Sequence, residues 1–353
     1  MLNPDARKAI DLLKSIIRIP SFSREEEAVA GFLQNYLETG GMTTTRNGNN
    51  IWCVSPAFDP QKPTILLNSH IDTVKPVTGW ERDPFTPDEE EGKVYGLGSN
   101  DAGGSLVTLL QVFLRLCRSQ QPYNLIFLAS CEEEISGKGG VESILPALPP
   151  IALAIVGEPT DMQPAVAEKG LMVLDVIATG RAGHAAHNEG DNAIYQALND
   201  MEWFRDYRFE RKSPLLGAVK MSVTQISAGT QHNVIPDRCT FVVDVRSNEL
   251  YSNEELFAEI KTHITCDVKA RSFRLSSSHV GINHPFVQRA IRLGRIPFGS
   301  PTLSDQSLMP FASVKIGPGH SLRSHTANEY ILIQEIAEAL TLYGDMLNGL
   351  IIE

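Results

Sequence analysis

The sequence predicts an α/β protein in which a central mixed sheet is covered by helices and a smaller α+β domain is inserted. Helical and strand patterns alternate over the first 167 residues, and the strands are continuous apolar runs, as expected for a sheet covered on both faces. From about residue 168 the order becomes β-α-β-β-α-β, the ferredoxin-like split unit, and the α/β pattern returns after about residue 280. We therefore expect one domain from 1–167 and 278–353, and a second from 168–277.

The helices of the first domain carry recognisable start signals. Helix 4–18 has Asn3 as its N-cap, and helix 24–39 begins with Ser23 and Glu26 as a capping box. The other elements predicted before residue 168 are strands 51–55, 64–70, 124–130 and 151–157, a helix from about 102 and a short helix near 140–145.

The elements of the inserted domain follow the split β-α-β order. They are strand 170–179, helix 192–207, strands 218–229 and 238–247, helix 253–264 and strand 267–275. After the insertion the pattern predicts strand 312–317 and helix 331–347, which return the chain to the first domain.

Composition excludes several classes of function. The chain has 31 basic and 42 acidic residues, and its net charge of −11 disfavours a phosphate-backbone partner. No stretch approaches the ~18 apolar residues of a membrane-spanning helix, and the N-terminus lacks the apolar segment of a signal peptide. The five cysteines form no CxxC pair, which favours reduced thiols. We expect a cytoplasmic protein that binds neither nucleic acid nor membrane.

Acidic residues and histidines recur where predicted strands end. The run "TILLNSHIDTV" ends in His70 and Asp72, which point to the same side of an extended chain because side chains alternate. Ligands gather at the carboxyl ends of strands in such sheets. Comparable residues occur in "GLGSNDAGG", after strand 124–130, in "VGEPTD" and in "SHTANEY": Asp101, Glu132, Glu133, Glu134, Glu158 and His325.

Each of these residues has an ordinary alternative role when it is considered alone. Asp101 could cap a helix, Glu158 could belong to a turn with Pro159, and three consecutive glutamates usually lie on a solvated surface. Their joint occurrence is harder to explain in that way. Two histidines with several carboxylates and no cysteine suit zinc, cobalt or manganese. Because carboxylates that converge without cations repel one another, two ions sharing a bridging carboxylate are the economical arrangement.

Ordered motifs along nearly the whole chain carry a family resemblance. They are "HIDTV" (70–74), the Asp101 turn, "EEEISGKGG" (132–140), "VGEPT" (156–160), "GRAGHAAHNEGDNAI" (180–194), "HNVIPD" (232–237), "VDVR" (243–246) and "SHTANE" (324–329). The sequence resembles the co-catalytic di-zinc amidohydrolases and exopeptidases, among them acetylornithine deacetylase, succinyl-diaminopimelate desuccinylase, aminoacylase and glutamate carboxypeptidase. The resemblance implies a zinc-exopeptidase-like catalytic domain and an inserted domain that serves as lid and dimerisation domain.

The resemblance also implies a complete set of metal ligands. Asp101 would bridge two Zn²⁺ ions per subunit, which Co²⁺ or Mn²⁺ could replace. His70 and Glu158 would complete one site, and Glu134 and His325 the other.

Two further residues acquire roles from the same resemblance. Asp72 would orient His70 and fix its tautomer. Glu133 would be the general base that takes a proton from water and later delivers it to the leaving amine, whereas Glu132 would be a bystander.

Residues of the inserted domain are implied to contact the substrate. His184 would donate to the developing oxyanion in the active site of the second subunit of a homodimer, although His187 is a nearby alternative. Arg246 would bind the substrate carboxylate through its planar fork. Asn233, with the backbone of Gly317 and Gly319, would contact the same end of the substrate.

One position departs from the family pattern, and one is expected to be unusual. Relatives commonly carry a lysine two residues after the bridging aspartate, where this chain has Gly103. The ligand set is complete, but a nearby positive charge is missing. The family also suggests a cis peptide bond between Asp101 and Ala102.

The expected activity is hydrolysis of the amide of an N-acyl amino acid, most simply N-acetylornithine in arginine biosynthesis. Acetyl- or succinyl-citrulline, succinyl-ornithine and succinyl-diaminopimelate need the same reacting centre, so the sequence leaves them open. A dipeptidase or carboxypeptidase is the alternative within hydrolysis. A non-catalytic scaffold is the alternative from another class, and the intact ligand set disfavours it.

Overall fold

The computed structural model describes residues 3–187 and 189–352, so Asn188 of the "GRAGHAAHNEGDNAI" motif and the chain ends of the first predicted domain lie outside the described residues. The chain forms two compact units. The first comprises 1–166, 279–298 and 304–353, and the second comprises 167–278 and 299–303. The assignment of the insert as a lid and dimerisation domain stays a prediction.

Seven α-helices occur within the described residues. They are α1 Pro4–Ile17, α2 Glu27–Thr39, α3 Gly104–Leu116, α4 Ala193–Asp206, α5 Asn253–His263, α6 Pro285–Arg292 and α7 Ile333–Leu347. Among residues 3–187 and 189–352, none of the helices combines the length and the apolar character needed to cross a bilayer.

The strands are numbered in chain order. They are β1 Thr44–Asn47, β2 Asn50–Val54, β3 Thr64–His70, β4 Asp88–Glu90, β5 Lys93–Tyr95, β6 Asn124–Ser130, β7 Leu153–Val156, β8 Ala165–Glu168, β9 Met172–Thr179, β10 Gly183–His184, β11 Lys220–Ala228, β12 Val234–Ile235, β13 Arg238–Arg246, β14 Asp267–Ala270, β15 Ser278–His279, β16 Phe298–Ser300, β17 Ser313–Lys315 and β18 Tyr330–Leu332.

A mixed sheet forms the centre of the first unit. Its order is β1-β2-β6-β3-β7-β17-β8-β15, with β16 also paired to β8. The four inner strands β6, β3, β7 and β17 are parallel, whereas β1 pairs antiparallel with β2, β2 with β6 and β8 with β17. The parallel strands are fully buried. Their carboxyl ends therefore meet at one edge of a covered sheet, as predicted.

Two apolar clusters cover the faces of this sheet. The larger includes α1, α3 and α7, with side chains such as Leu13, Phe113 and Tyr343 fully buried. The smaller lies on the opposite face, where Leu66 and Leu128 pack with residues of short 3₁₀ turns. Both faces of the sheet are therefore packed against apolar side chains, up to the edge at which the parallel strands end.

The second unit has the predicted ferredoxin-like order. Its antiparallel sheet runs β11-β13-β9-β14, and residues of α4 and α5 pack on it in one apolar cluster. The strand β9 alternates buried and partly exposed side chains, which is the pattern of a sheet with one face on a core. A separate two-residue ribbon pairs β10 with β12.

One local prediction is wrong, and the reason concerns the site. Helix α2 begins at Glu27 and not at residue 24, because Arg24 is left-handed (φ 74°) and the predicted capping box does not form. The hydroxyl of Ser23 donates to Asp72 at 2.7 Å, and the Glu26 carboxylate accepts hydrogen bonds elsewhere. By contrast, Asn3 caps α1 as predicted.

Candidate metal centre

Three parallel strands deliver the predicted site residues to one edge. β3 lies between β6 and β7, with His70 level with Ser130 and Asn68 level with Val156. The chain then leaves β6 into the turn that carries Glu133 and Glu134, and leaves β7 through Gly157 into Glu158. The predicted site residues are far apart in the sequence but close in space, because the strands that precede them are parallel and in register.

The first group consists of His70, Asp101 and Glu158. The His70 Nε2 atom lies 3.3 Å from Asp101 Oδ1 and 3.7 Å from Glu158 Oε1. His70 is buried, and its other ring nitrogen, Nδ1, lies 2.9 Å from the carbonyl oxygen of Asp72. When Nδ1–H donates to that carbonyl, the lone pair of Nε2 faces the carboxylates, which is the tautomer that a metal ligand requires.

The second group shares one residue with the first. His325 Nε2 lies 3.0 Å from Glu134 Oε2 and 3.7 Å from Asp101 Oδ2. The two oxygens of Asp101 thus face different histidines, and each trio could hold one ion. Carboxylate and imidazole groups are ligands of zinc, cobalt and manganese, so the donor set fits two divalent ions that share Asp101.

Asp72 contacts more than the imidazole. Its carboxylate Oδ1 lies 3.5 Å from His70 Nδ1, and it accepts the backbone N–H groups of Glu133 at 3.0 Å and Glu134 at 3.1 Å. Ser23 donates to the same carboxylate. Asp72 therefore supports both His70 and the turn that carries Glu133.

The carboxylates of this cluster give it an excess of negative charge, which shifts the pKa values of its members. Burial raises the pKa of Glu133 and of Glu158 well above the ordinary value, and neighbouring carboxylates add to the effect. Burial opposes the charged form of His70, but hydrogen bonds to Asp101 and Asp72 raise its pKa overall. A hydrogen bond to Glu134 raises the pKa of His325 to about 9. Two divalent cations held by these groups would offset this excess of negative charge.

The turn that carries Asp101 shows the predicted backbone feature. The peptide bond between Asp101 and Ala102 is cis, and this confirms the expectation from the family pattern. A Cβ atom at Gly103 would lie 2.4 Å from the carbonyl oxygen of Gly98, so a lysine would not fit in this conformation without a backbone shift.

Three buried charged residues near the centre were missed by sequence reasoning. Glu329 accepts the N–H groups of Gly98, Asn100 and Asp101 at 2.8 to 3.0 Å, which fixes the turn that carries the shared carboxylate. Asp305 accepts from the Ser130 hydroxyl at 2.6 Å, and burial raises its pKa to about 6.

The third missed residue is a cation. Lys315 is buried on β17, and its positive charge partly opposes the rise that burial causes in the pKa of Glu158. The signal for this residue in the sequence is a lysine within the short apolar strand "ASVKIG", and the prediction of that strand assigned the lysine no role.

The predicted substrate residues of the second unit lie on its exposed surface or at strand ends. His184 on β10 pairs with Val234 on β12, and the Ala185 N–H donates to the carbonyl oxygen of Asn233 at 2.9 Å. The structure therefore brings His184 and Asn233 together on one ribbon. His187 lies beside His184, with 5.3 Å between the ring centroids.

Arg246 ends β13 and has a partner. Its Nε and Nη2 atoms donate to the two carboxylate oxygens of Asp244 at 2.9 and 3.0 Å. This bidentate pair fixes the plane of the guanidinium. In the first unit, Gly317 N–H donates to Thr160 Oγ1 at 3.1 Å, and Gly319 is left-handed with φ 87°.

Comparison with known proteins identifies the family. Residues 66–349, most of the chain, match the model described as peptidase family M20/M25/M40. The chain belongs to this family. It is therefore a hydrolase of the metallopeptidase and amidohydrolase class, and the resemblance stated from the motifs is confirmed.

Named relatives of this M20 chain act on different amides. It is 27% identical to acetylornithine deacetylase of Proteus mirabilis, with 96% of each chain covered. It is 29% identical to [LysW]-lysine/[LysW]-ornithine hydrolase of Sulfurisphaera tokodaii, with 96% of this chain and 94% of that protein covered.

Solved structures confirm the fold of the M20 chain. Aminopeptidase PepT of Bacillus cereus aligns with a TM-score of 0.80 at 18% identity and 98% coverage of both chains. The YXEP protein of Bacillus subtilis, described as a dinuclear metal-binding peptidase from the M20 family, aligns with a TM-score of 0.73 at 14% identity and 97% coverage of both chains. The predicted α/β fold with a central mixed sheet and an inserted ferredoxin-like unit is correct.

Proposed function

We propose that this M20 hydrolase removes an acyl group from the α-nitrogen of an amino acid, with N-acetylornithine as the first candidate substrate. The observation that carries the proposal is the pair of ligand trios that share Asp101, with the half-buried Glu133 on the same turn as the ligand Glu134. The choice of substrate is supported by the similarity to acetylornithine deacetylase over nearly the full length of both chains. Such an activity belongs to arginine biosynthesis in the cytoplasm.

The side chains of the centre divide the reaction between them. Two Zn²⁺ ions bound by the trios would polarise the amide carbonyl and make water acidic enough to attack at neutral pH. Glu133 accepts a proton from the attacking water as its oxygen bonds to the carbonyl carbon. It then gives that proton to the nitrogen as the C–N bond breaks, so a carboxylic acid and an amine leave, and the acid loses its remaining proton to the amine or to solvent. Asp72 keeps both Glu133 and His70 in place.

The second unit supplies groups that bind the substrate in this proposal. Arg246 pairs with the α-carboxylate, and Asn233 contacts the same end of the molecule, together with the Gly317 and Gly319 turn of the first unit. His184, contributed by a second copy of the chain in a homodimer, donates to the oxyanion. The exposed positions of His184 and Asn233 on their ribbon leave both available to a ligand.

A peptidase is the second candidate, and one observation favours it. The structural neighbours include aminopeptidase PepT, whose fold matches nearly the whole chain. Peptide and N-acyl amino acid substrates present the same amide to the metals and differ in what lies beyond the nitrogen and the carbonyl. The geometry of the centre is therefore compatible with both.

A panel of substrates decides between these candidates. The Zn²⁺-loaded protein is assayed with N-acetylornithine, N-acetylcitrulline, their N-succinyl counterparts, succinyl-diaminopimelate and a set of dipeptides. We expect the highest kcat/KM for N-acetylornithine. A higher kcat/KM for a succinyl compound would change the proposed acyl group from acetyl to succinyl. A higher kcat/KM for dipeptides would show that the protein is a peptidase.

A further inference from the structure

Four consecutive backbone N–H groups in the turn that carries Glu133 are held by side chains from other parts of the first unit. The N–H of Cys131 donates to Asn50 Oδ1 at 3.1 Å, and that of Glu132 donates to Glu26 Oε1 at 3.1 Å. The next two N–H groups, those of Glu133 and Glu134, donate to the carboxylate of Asp72. The backbone of this turn is thus fixed from outside, residue by residue.

Glu26 is the charged member of this arrangement that the mechanism does not use. It is fully buried, at 0% exposed, and its two oxygens accept three hydrogen bonds. The donors are the N–H of Arg24 at 2.7 Å, the N–H of Glu132 at 3.1 Å and the amide of Asn49 at 2.9 Å. A buried carboxylate needs such partners because it has lost its water, and here they are supplied by three separate segments.

The position of Glu26 is maintained at a cost to local structure. Ser23 and Glu26 have the spacing of a helix capping box, yet both side chains serve the site while Arg24 adopts a left-handed conformation. Helix α2 consequently starts without a side-chain cap. A side-chain cap stabilises a helix, so the sequence forgoes a usual local stabilisation to hold the turn.

The turn has reason to need this support. Glu132 is itself left-handed, with φ 56°, and the residues that follow form a single 3₁₀ turn with no long helix to hold them. Non-glycine residues in this region are held there by surrounding structure. The hydrogen bond from Glu132 N–H to Glu26 acts at the residue immediately before Glu133.

We propose that Glu26 is a positioning residue for the general base. It fixes the backbone at Glu132 and thereby the placement of the Glu133 carboxylate against the attacking water. This inference rests on the proposed role of Glu133. Misplacement of a reacting group by about 1 Å can lower a rate by about 10²-fold, so a loosened turn should be seen in kcat.

The test compares three substitutions of Glu26 with a matched control. Glu26→Ala removes the acceptor, Glu26→Asp withdraws it by one methylene, and Glu26→Gln retains an oxygen that can accept from Glu132 N–H. Glu25→Ala is the control, because Glu25 is an exposed neighbour. We expect kcat to fall by about tenfold or more in the first two variants at unchanged KM and metal content, with recovery in Glu26→Gln and wild-type kcat in the control.

A double-mutant cycle separates this inference from the proposed function. If Glu26 acts through Glu133, then adding Glu26→Ala to Glu133→Gln should change kcat by no more than about twofold. Losses that multiply would overturn the inference, as would an unchanged kcat in metal-loaded Glu26→Asp or a loss of metal in both Glu26→Ala and Glu26→Asp. Full activity of Glu133→Gln alone would instead refute the proposed base. The Glu26→Asp variant keeps the charge and serves if Glu26→Ala does not fold.

Discussion

The metal centre of the first unit and the candidate substrate groups of the second are built in opposite ways. His70, Asp72 and Glu329 are buried, and each is hydrogen-bonded to backbone groups of a neighbouring turn or strand end. His184 lies exposed on a two-residue ribbon. The first region holds its geometry through the fold itself, whereas the second offers groups whose final placement depends on what binds them. Substitutions in the two regions should therefore fail differently.

The largest expected effect comes from removing the metal. Exhaustive chelation should abolish turnover, because neutral water is too weak a nucleophile without the ions, and Zn²⁺ or Co²⁺ should restore it. Chelation should also lower the melting temperature, since the ions bind the folded state. Activity and melting curves measured before and after reconstitution check both. Turnover that survives chelation would break the comparison, because the buried centre would then have no catalytic role.

The next largest effect is expected at the base. Glu133→Gln keeps the shape but cannot take a proton, so kcat should fall by about 10²-fold or more while metal content stays near that of wild type. Glu132→Gln is the matched control. Within residues 3–187 and 189–352, the Glu132 side chain accepts one hydrogen bond, from the N–H of Gly139 at 3.2 Å. Metal analysis accompanies the kinetics. Loss of an ion in Glu133→Gln would show that the roles of Glu133 and Glu134 are exchanged.

A loss of comparable size is expected from His184 in the second unit. His184→Ala should lower kcat by about 10²- to 10³-fold, the usual worth of one oxyanion donor, without loss of metal. His187→Ala tests the neighbouring ring and should retain activity. The reverse result would assign the role to His187.

Subunit mixing tests whether His184 acts on the second copy. Heterodimers of His184→Ala and Glu133→Gln chains would contain one site with both changes and one intact site, so activity should return after exchange. Heterodimers that form and stay inactive would contradict action between subunits. A strictly monomeric protein would remove the premise.

The smallest expected effect is on binding at Arg246. Arg246→Lys keeps the charge but loses the planar fork, and we expect KM to rise by about tenfold with little change in kcat. Arg271→Lys is a matched control, because Arg271 forms the same kind of bidentate pair with Asp175 on the same sheet. An equal change in both variants would show a general effect of the sheet, not substrate binding.

Sequence reasoning reached the centre because the chemistry lies where strands end. His70 is the last residue of β3, and Glu158 lies two residues beyond the end of β7, so the rule that parallel strands share a carboxyl edge was sufficient to group them. Glu329 and Asp305 escaped because their partners are distant backbone or hydroxyl groups that no spacing reveals. The capping box at Ser23 was wrong because tertiary contacts outweighed a local preference.

Short elements escaped for a different reason. The strands β4, β5 and β18 have three residues each, too few for an alternating pattern to be recognised, and they form a small sheet of their own. The helix α6 has eight residues and was not predicted. Length, more than composition, set the limit of the prediction.

The order of strands in the first unit has a consequence for synthesis on the ribosome. β17 lies between β7 and β8 in the sheet, although 156 residues separate Val156, the end of β7, from the start of β17. β17 is therefore made only after the whole second unit has been translated. In a nascent chain that ends before Ser313, β7 and β8 have been made but the strand that pairs with both of them is missing. Ribosome-bound chains halted before and after this strand should therefore differ sharply in resistance to protease, with the early chains protected only within the second unit.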